Sequence, residues 1–166
     1  MKSLLTQLST YAHYHRDRRN IYTHFVGIPM IVYALIILLS KPSINLEALT
    51  LTPALIVVSI TCVYYLFLSI SLGLIMTVLM SIGLLCAAPI AAMGTPTWLV
   101  WGVGLFVIGW VFQFIGHYFE GKKPAFVDDL MGLIIGPLFV VVELLFMLGL
   151  YKDLAQDIEQ IAGKVR

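Results

Sequence analysis

The stretch "HYHRDRRNIYTH", residues 13–24, gathers three of the chain's four histidines with three arginines and an aspartate. The fourth histidine, His117, lies in "QFIGHYFEGKKPAFVDDL", residues 113–130, with Gln113, Glu120, Lys122, Lys123 and the pair Asp128 and Asp129. Imidazoles and carboxylates are the ligands that zinc and non-haem iron take, and both clusters border strongly apolar sequence. A divalent or redox metal held at one end of a helix bundle is the chemistry these residue types can do together. Each also has an ordinary role. Histidines snorkel at membrane interfaces, Arg16, Arg18, Arg19, Lys122 and Lys123 mark topology, and Asp128 and Asp129 suit a helix start.

Spacing constrains which of them can meet. On one straight helix through 13–24, at about 100° per residue, His13, Asp17, Asn20 and His24 share a face and His15 lies about 180° from His24. His15 and His24 join one site only if the backbone breaks between them. Gln113, His117 and Glu120, spaced by four and three, form a polar stripe at the end of a helix. Gly121 can close that helix with a left-handed cap, and Pro124 can open the next.

The elements that must position these groups are membrane spans. The 166 residues are 60% hydrophobic and 11% charged, with a mean hydropathy of +0.97. Between Phe25 and Gly116 the only charges are Lys41 and Glu47, so the stretch can lie in hydrocarbon. A net charge of +1 gives no sign of a nucleic-acid partner. Cys62 and Cys86 lie in apolar segments and behave as small hydrophobes, so neither a disulfide framework nor a cysteine zinc site is expected. The N-terminus lacks the apolar core and cleavage site of a signal peptide and reads as retained.

The expected fold is all-α: a polytopic transmembrane helix bundle of about five spans, at 22–40, 53–71, 73–93, 97–118 and 127–150. It forms a single integral-membrane domain over 1–166, with a polar segment 1–21 and a short amphipathic C-terminal helix in 151–166. The run 53–93 splits near Ser71 and Gly73 into a tight helical hairpin. In the tail, Leu154, Ile158, Ile161 and Val165 share one face, which is expected to lie on the membrane surface. Four crossings would bring His13, His15 and His24 to the same membrane face as His117. Glu143 stands alone in an apolar span, either as a functional group or as glue between helices.

The blocks "YHRDRRNIYTHFVGIP" (14–29) and "QFIGHYFEGKKPAF" (113–126), with the spans between and after them, resemble the Mpo1-like family of membrane proteins, also known as the DUF962 group. The resemblance covers most of the chain. It implies an iron(II)-dependent dioxygenase that shortens 2-hydroxy fatty acids by one carbon in α-oxidation, with Fe(2+), dioxygen and membrane lipid as its cofactor and partners. It places the protein in the inner membrane of a bacterium or the endoplasmic reticulum of a eukaryote. The family histidines correspond to His15, His24 and His117, and His13 falls outside the pattern. Relatives often carry a proline where this chain has Arg18.

With that chemistry, Glu120 is a candidate fourth ligand. Arg16, Arg19 and Lys122 are candidates to pair with the substrate carboxylate, while Asp17, Asn20, Gln113, Asp128, Asp129 and His13 are candidates to orient the ligands. A 2-hydroxy acid can chelate the metal through its hydroxyl and carboxylate oxygens. The competing readings are a metal-dependent membrane lipid hydrolase and a non-enzymatic metal- or lipid-binding membrane protein. Span interiors that offer only Glu143 with scattered Ser and Thr disfavour transport.

Overall fold

The computed structural model describes residues 2–46 and 49–166, so Glu47 lies outside the described residues. Seven α-helices follow one another among them: α1 (Leu4–Ala12), α2 (Arg18–Ser40), α3 (Pro53–Leu68), α4 (Ile70–Ala91), α5 (Thr95–Glu120), α6 (Met131–Met147) and α7 (Lys152–Ala162). The all-α expectation holds, with one small addition. Strands β1 (Ile44–Leu46) and β2 (Leu49–Leu51) pair antiparallel between α2 and α3. Helices α2, α4 and α5 are long and apolar enough to cross a membrane, and α6 with α7 adds a fourth candidate bent by 117°. Helix α3, with 16 residues, is about 24 Å long, and α6 has 17. The spans expected at 53–71 and 127–150 are therefore shorter, at Pro53–Leu68 and Met131–Met147. Large apolar side chains point outward along these helices, among them Phe67 at 74% and Leu85 at 75% exposure, which fits lipid rather than water.

By contact the chain divides into two units, Met1–Ile28 with Trp110–Arg166, and Pro29–Gly109. In the second, α3 and α4 pack directly on each other. Their break falls at Ser69 rather than near Ser71 and Gly73. Ser69 is extended (φ −162°, ψ 125°), and its hydroxyl accepts from the Leu72 amide. Gly73 permits the closeness of the hairpin, because a Cβ there would lie 2.6 Å from backbone atoms of Leu66. Lys41 snorkels from the end of α2, donating to the carbonyls of Ala91 and Met93. Its ammonium also faces the Trp98 ring, whose Nε1–H donates to the Ile37 carbonyl.

The first unit carries the polar clusters. Helix α1 packs on α6 and α7, and its Leu8, Tyr11 and Ala12 are buried, as are Ile135, Leu138, Phe139 and Val142 of α6. Helix α7 is less free than a surface-lying tail would be. Ile158 is buried while Ile161 stays exposed, and α1 packs on the helix. The chain enters α7 through left-handed backbone at Gly149 and Tyr151.

After α7, residues 163–166 return to the α1–α2 junction, where Arg166 N–H donates to the Arg16 carbonyl (2.7 Å) and Arg18 N–H to the Arg166 carbonyl (3.1 Å). The buried Arg16 side chain ties four segments together. Its Nε donates to the carbonyls of Ala12 and His15, Nη1 to that of Gly163, and Nη2 meets Glu143 Oε1 at 3.3 Å. Glu143 is thus interhelical glue, with its partner 127 residues away in sequence.

Gly73→Ala should destabilise the protein by about 1–3 kcal/mol through overpacking against backbone that cannot move aside, read as a lower midpoint of unfolding in detergent. Glu143→Ala leaves a buried guanidinium uncompensated and should cost about 3–5 kcal/mol. The double variant Arg16→Met, Glu143→Leu should cost less than the two single changes added, and unfolding of all three variants measures the difference.

Candidate metal centre

The break that a shared site for His15 and His24 requires is present, and it forms without a proline. Helix α1 ends at Ala12, and the amides of Tyr14 and His15 turn back to the carbonyls of Tyr11 and Ala12. Helix α2 then begins at Arg18. The free amides of its approach are held by a carboxylate from the end of α5: Glu120 Oε2 accepts from Arg16 N–H (2.9 Å), Asp17 N–H (2.7 Å) and Asn20 Nδ2–H (3.1 Å). An anion is favoured at a helix N-terminus by the unpaired amides and the helix dipole. Asp17 adds a local cap, its Oδ1 accepting from Arg19 N–H. Its carboxyl is held down to about 2, chiefly by the hydrogen bond from the Arg19 side chain.

This junction turns His15 back toward α2, and α5 delivers His117 to the same place. One nitrogen from each of His15, His24 and His117 lies within 4.8 Å of the other two, and the side chains are 0%, 1% and 6% exposed. Close approach of α2 and α5 depends on Gly116, where a Cβ would collide with Asn20 Oδ1 and Thr23 Oγ1. The start of α2 and the end of α5 thus lie together, which the shared site of His24 and His117 requires.

The hydrogen bonds assign the tautomers. His15 Nδ1–H donates to the Tyr11 carbonyl (2.8 Å), and His24 Nδ1–H to the Asn20 carbonyl (2.9 Å). Each Nε2 is then a lone pair, and the two face each other at 3.1 Å. Opposed lone pairs repel unless positive charge lies between them. A proton there would need a buried imidazolium, and burial first, then the His24 imidazole, hold His15 well below its ordinary range. A metal cation satisfies both. Nitrogens bound at ~2.1 Å to one ion are roughly 3 Å apart when they subtend a right angle. His117, whose Nδ1 is buried without a hydrogen-bond partner among the described residues, offers a third nitrogen to the same place. The three histidines can hold a metal ion, with carbonyls behind two of the rings as in established metal sites.

The other candidates have different occupations. Glu120 is not in the group of three nitrogens: Oε2 is committed to the α2 approach, and Oε1 is buried without a hydrogen-bond partner among the described residues, with Arg166 Nη2 at 3.6 Å. His13 is exposed at the end of α1, and its carbonyl accepts from Lys122 Nζ (2.7 Å). His13 is not in the group of three nitrogens, and the Lys122 ammonium is taken by the His13 carbonyl. Arg16 is buried in its structural contacts, and Arg19 pairs with Asp17 at 2.8 Å while lying over the Phe119 ring. Asp128 accepts from Tyr14 Oη–H and Lys123 Nζ, and Asp129 accepts from Met131 N–H. Both precede α6 instead of lying in its first turns, since 125–127 form a short 3-10 turn. Asn20 holds the His24 ring through its carbonyl. Gln113 is buried one turn before His117, with its Nε2 unpartnered.

Spacing alone did not single out Tyr11 and Phe139. The Tyr11 ring stacks on His15 at 4.1 Å between centroids and 5° between planes, and Phe139 lies 5.6 Å from the same ring. The one local signal was that Tyr11 stands four residues before His15, within reach of its Nδ1 in a turn.

A family model described as "2-hydroxy-palmitic acid dioxygenase Mpo1-like" matches residues 1–148. The 2-hydroxy-palmitic acid dioxygenase MPO1 of Saccharomyces cerevisiae is 32% identical over 158 residues, covering 94% of this chain and 87% of the yeast protein. No solved structure matches. The buried histidines come from the two sequence blocks that carry the resemblance, and with a match over nearly the whole length the chain belongs to the Mpo1-like family.

Proposed function

We propose that the protein is an iron(II)-dependent dioxygenase, acting as a single multi-pass membrane domain, that shortens 2-hydroxy fatty acids by one carbon. The observation that carries this reading is the pair of opposed Nε2 lone pairs beside His117, a donor set that wants a cation and leaves coordination positions open. The name of the yeast relative supplies the substrate class. Iron(II) held by three imidazoles would supply the reaction with dioxygen that no side chain here can perform.

The chain's own residues do the rest. The carbonyls of Tyr11 and Asn20 hold the Nδ1 protons of His15 and His24, so that both rings present their lone pairs. Tyr11 and Phe139 cover His15 and exclude water from that side. Glu120 fixes the break on which the His15 position depends. Gln113 places an unpartnered amide donor one turn into the apolar part of α5, where it can receive an oxygen of the substrate head while the acyl chain lies among apolar helices.

Protein purified without oxygen in detergent should carry iron and consume dioxygen with 2-hydroxypalmitate, yielding an acid one carbon shorter by mass spectrometry. His15→Ala, His24→Ala and His117→Ala should each lose both iron and oxygen uptake. Retention of both by all three variants, or turnover with no oxygen consumed, would sink the proposal. Glu120→Gln keeps an oxygen for the three donors and should keep the iron. Glu120→Ala should cost about 1–3 kcal/mol of stability for buried amides left unpaired, measured by unfolding.

A further inference from the structure

The first unit contains a cavity of about 360 Å³ that the metal centre does not use. Ile21 and Tyr22 of α2, Phe146 and Met147 of α6, and Val165 of the returning tail make it largely apolar, and Arg18 and Glu143 are its ionisable groups. The charge of Glu143 is matched by Arg16. The backbone amide of Arg18 is bonded to a main-chain carboxyl oxygen of Arg166, and its guanidinium makes no ion pair within hydrogen-bonding reach among the described residues. The cavity therefore combines a greasy wall with one guanidinium that is in no ion pair among the described residues, and its volume is in the range of small-molecule pockets.

Its location is informative. Ile21 precedes His24 by three residues on α2, and Glu143 follows Phe139, which lies beside His15, by four on α6. The cavity is thus one helical turn from His24 along α2 and one turn from Phe139 along α6.

We propose that this cavity is a fatty-acid site, in which Arg18 binds the carboxylate and the first part of the alkyl chain lies against Ile21, Phe146, Met147 and Val165. The planar guanidinium can take a carboxylate through two parallel hydrogen bonds. One such fork with one cavity of this size matches one acid head and one chain, rather than a two-chain phospholipid. The choice of fatty acid rests on the dioxygenase reading, whereas the charge and lining of the cavity are independent of any metal. The site holds the acid one turn along α2 from His24, on its way to or from the histidines.

The test uses full-length protein stripped of metal with chelator, in neutral detergent, with radiolabelled palmitate as the probe in equilibrium dialysis. Binding should be saturable, and Arg18→Gln should weaken it about tenfold or more, as expected for loss of a charge-assisted hydrogen bond. Arg18→Lys should recover part of the loss, Val165→Trp should abolish binding by filling the cavity, and Arg19→Gln should change nothing. Methyl palmitate, without the carboxylate, should be indifferent to Arg18→Gln. Unaltered palmitate affinity in both Arg18→Gln and Val165→Trp, each shown to unfold at the wild-type temperature, overturns the site. So does displacement of palmitate by phosphatidylglycerol at equal concentration. Because no metal is present, failure here leaves the dioxygenase reading standing on its histidine variants, and failure of oxygen consumption leaves this binding result intact.

Discussion

One carboxylate holds the arrangement together. Glu120 stands at the last position of α5 and accepts hydrogen bonds from two backbone amides and one side-chain amide of the α1–α2 junction. The junction has no regular structure of its own to satisfy those amides, and burying them unpaired would be costly. The carboxylate thus makes the break in the helix tolerable, and the break lets His15 face His24. The same oxygen links the N-terminal block to the residue three positions after His117. Ligand geometry and helix capping are one problem here, solved by a single side chain that does not itself reach the metal position.

Around this capped junction the chain builds a second layer from Arg16. Its guanidinium joins α1, the junction, α6 and the tail through four acceptors, and its main-chain carbonyl receives Arg166 N–H. A buried ion pair of this kind adds little net stability compared with well-packed apolar residues, but breaking it on one side is expensive. Its effect is to specify one arrangement of four segments. The family match ends at residue 148, whereas the tail contacts with Arg16, Arg18 and Glu120 come from residues 163–166.

Much of this was readable from residue types and spacing. The all-α class followed from hydropathy, whereas the grouping of His15 with His24 and His117 came from the family resemblance, since spacing on one straight helix put His15 opposite His24 and aligned His13 with it instead. The demotion of His13 also agrees with its exposed position. What spacing could not show was pairing over long separations. Glu143 had no cation nearby in sequence because Arg16 is 127 residues away, and Glu120 looked like a ligand because a capping acceptor and a metal ligand are the same carboxylate seen without its partners. Arg16 and Lys122 looked available for substrate for the same reason, whereas Arg19 is taken by Asp17 only two residues away. The short α3 and the late start of α6 reflect local chemistry that overrides hydropathy, an extended Ser69 in one case and a 3-10 turn before Asp129 in the other.

The absence of a carboxylate among the three converging ligands bears on how the centre would acquire its ion. Imidazole nitrogens bind divalent metals in the Irving–Williams order, in which iron(II) lies below nickel, copper and zinc. Three buried neutral imidazoles have nothing in their chemistry to reverse that ranking. On the proposed function, selection of iron falls to the ions present while the ends of α2 and α5 come together, and a chain folded among copper or zinc would trap the wrong metal behind Tyr11 and Phe139.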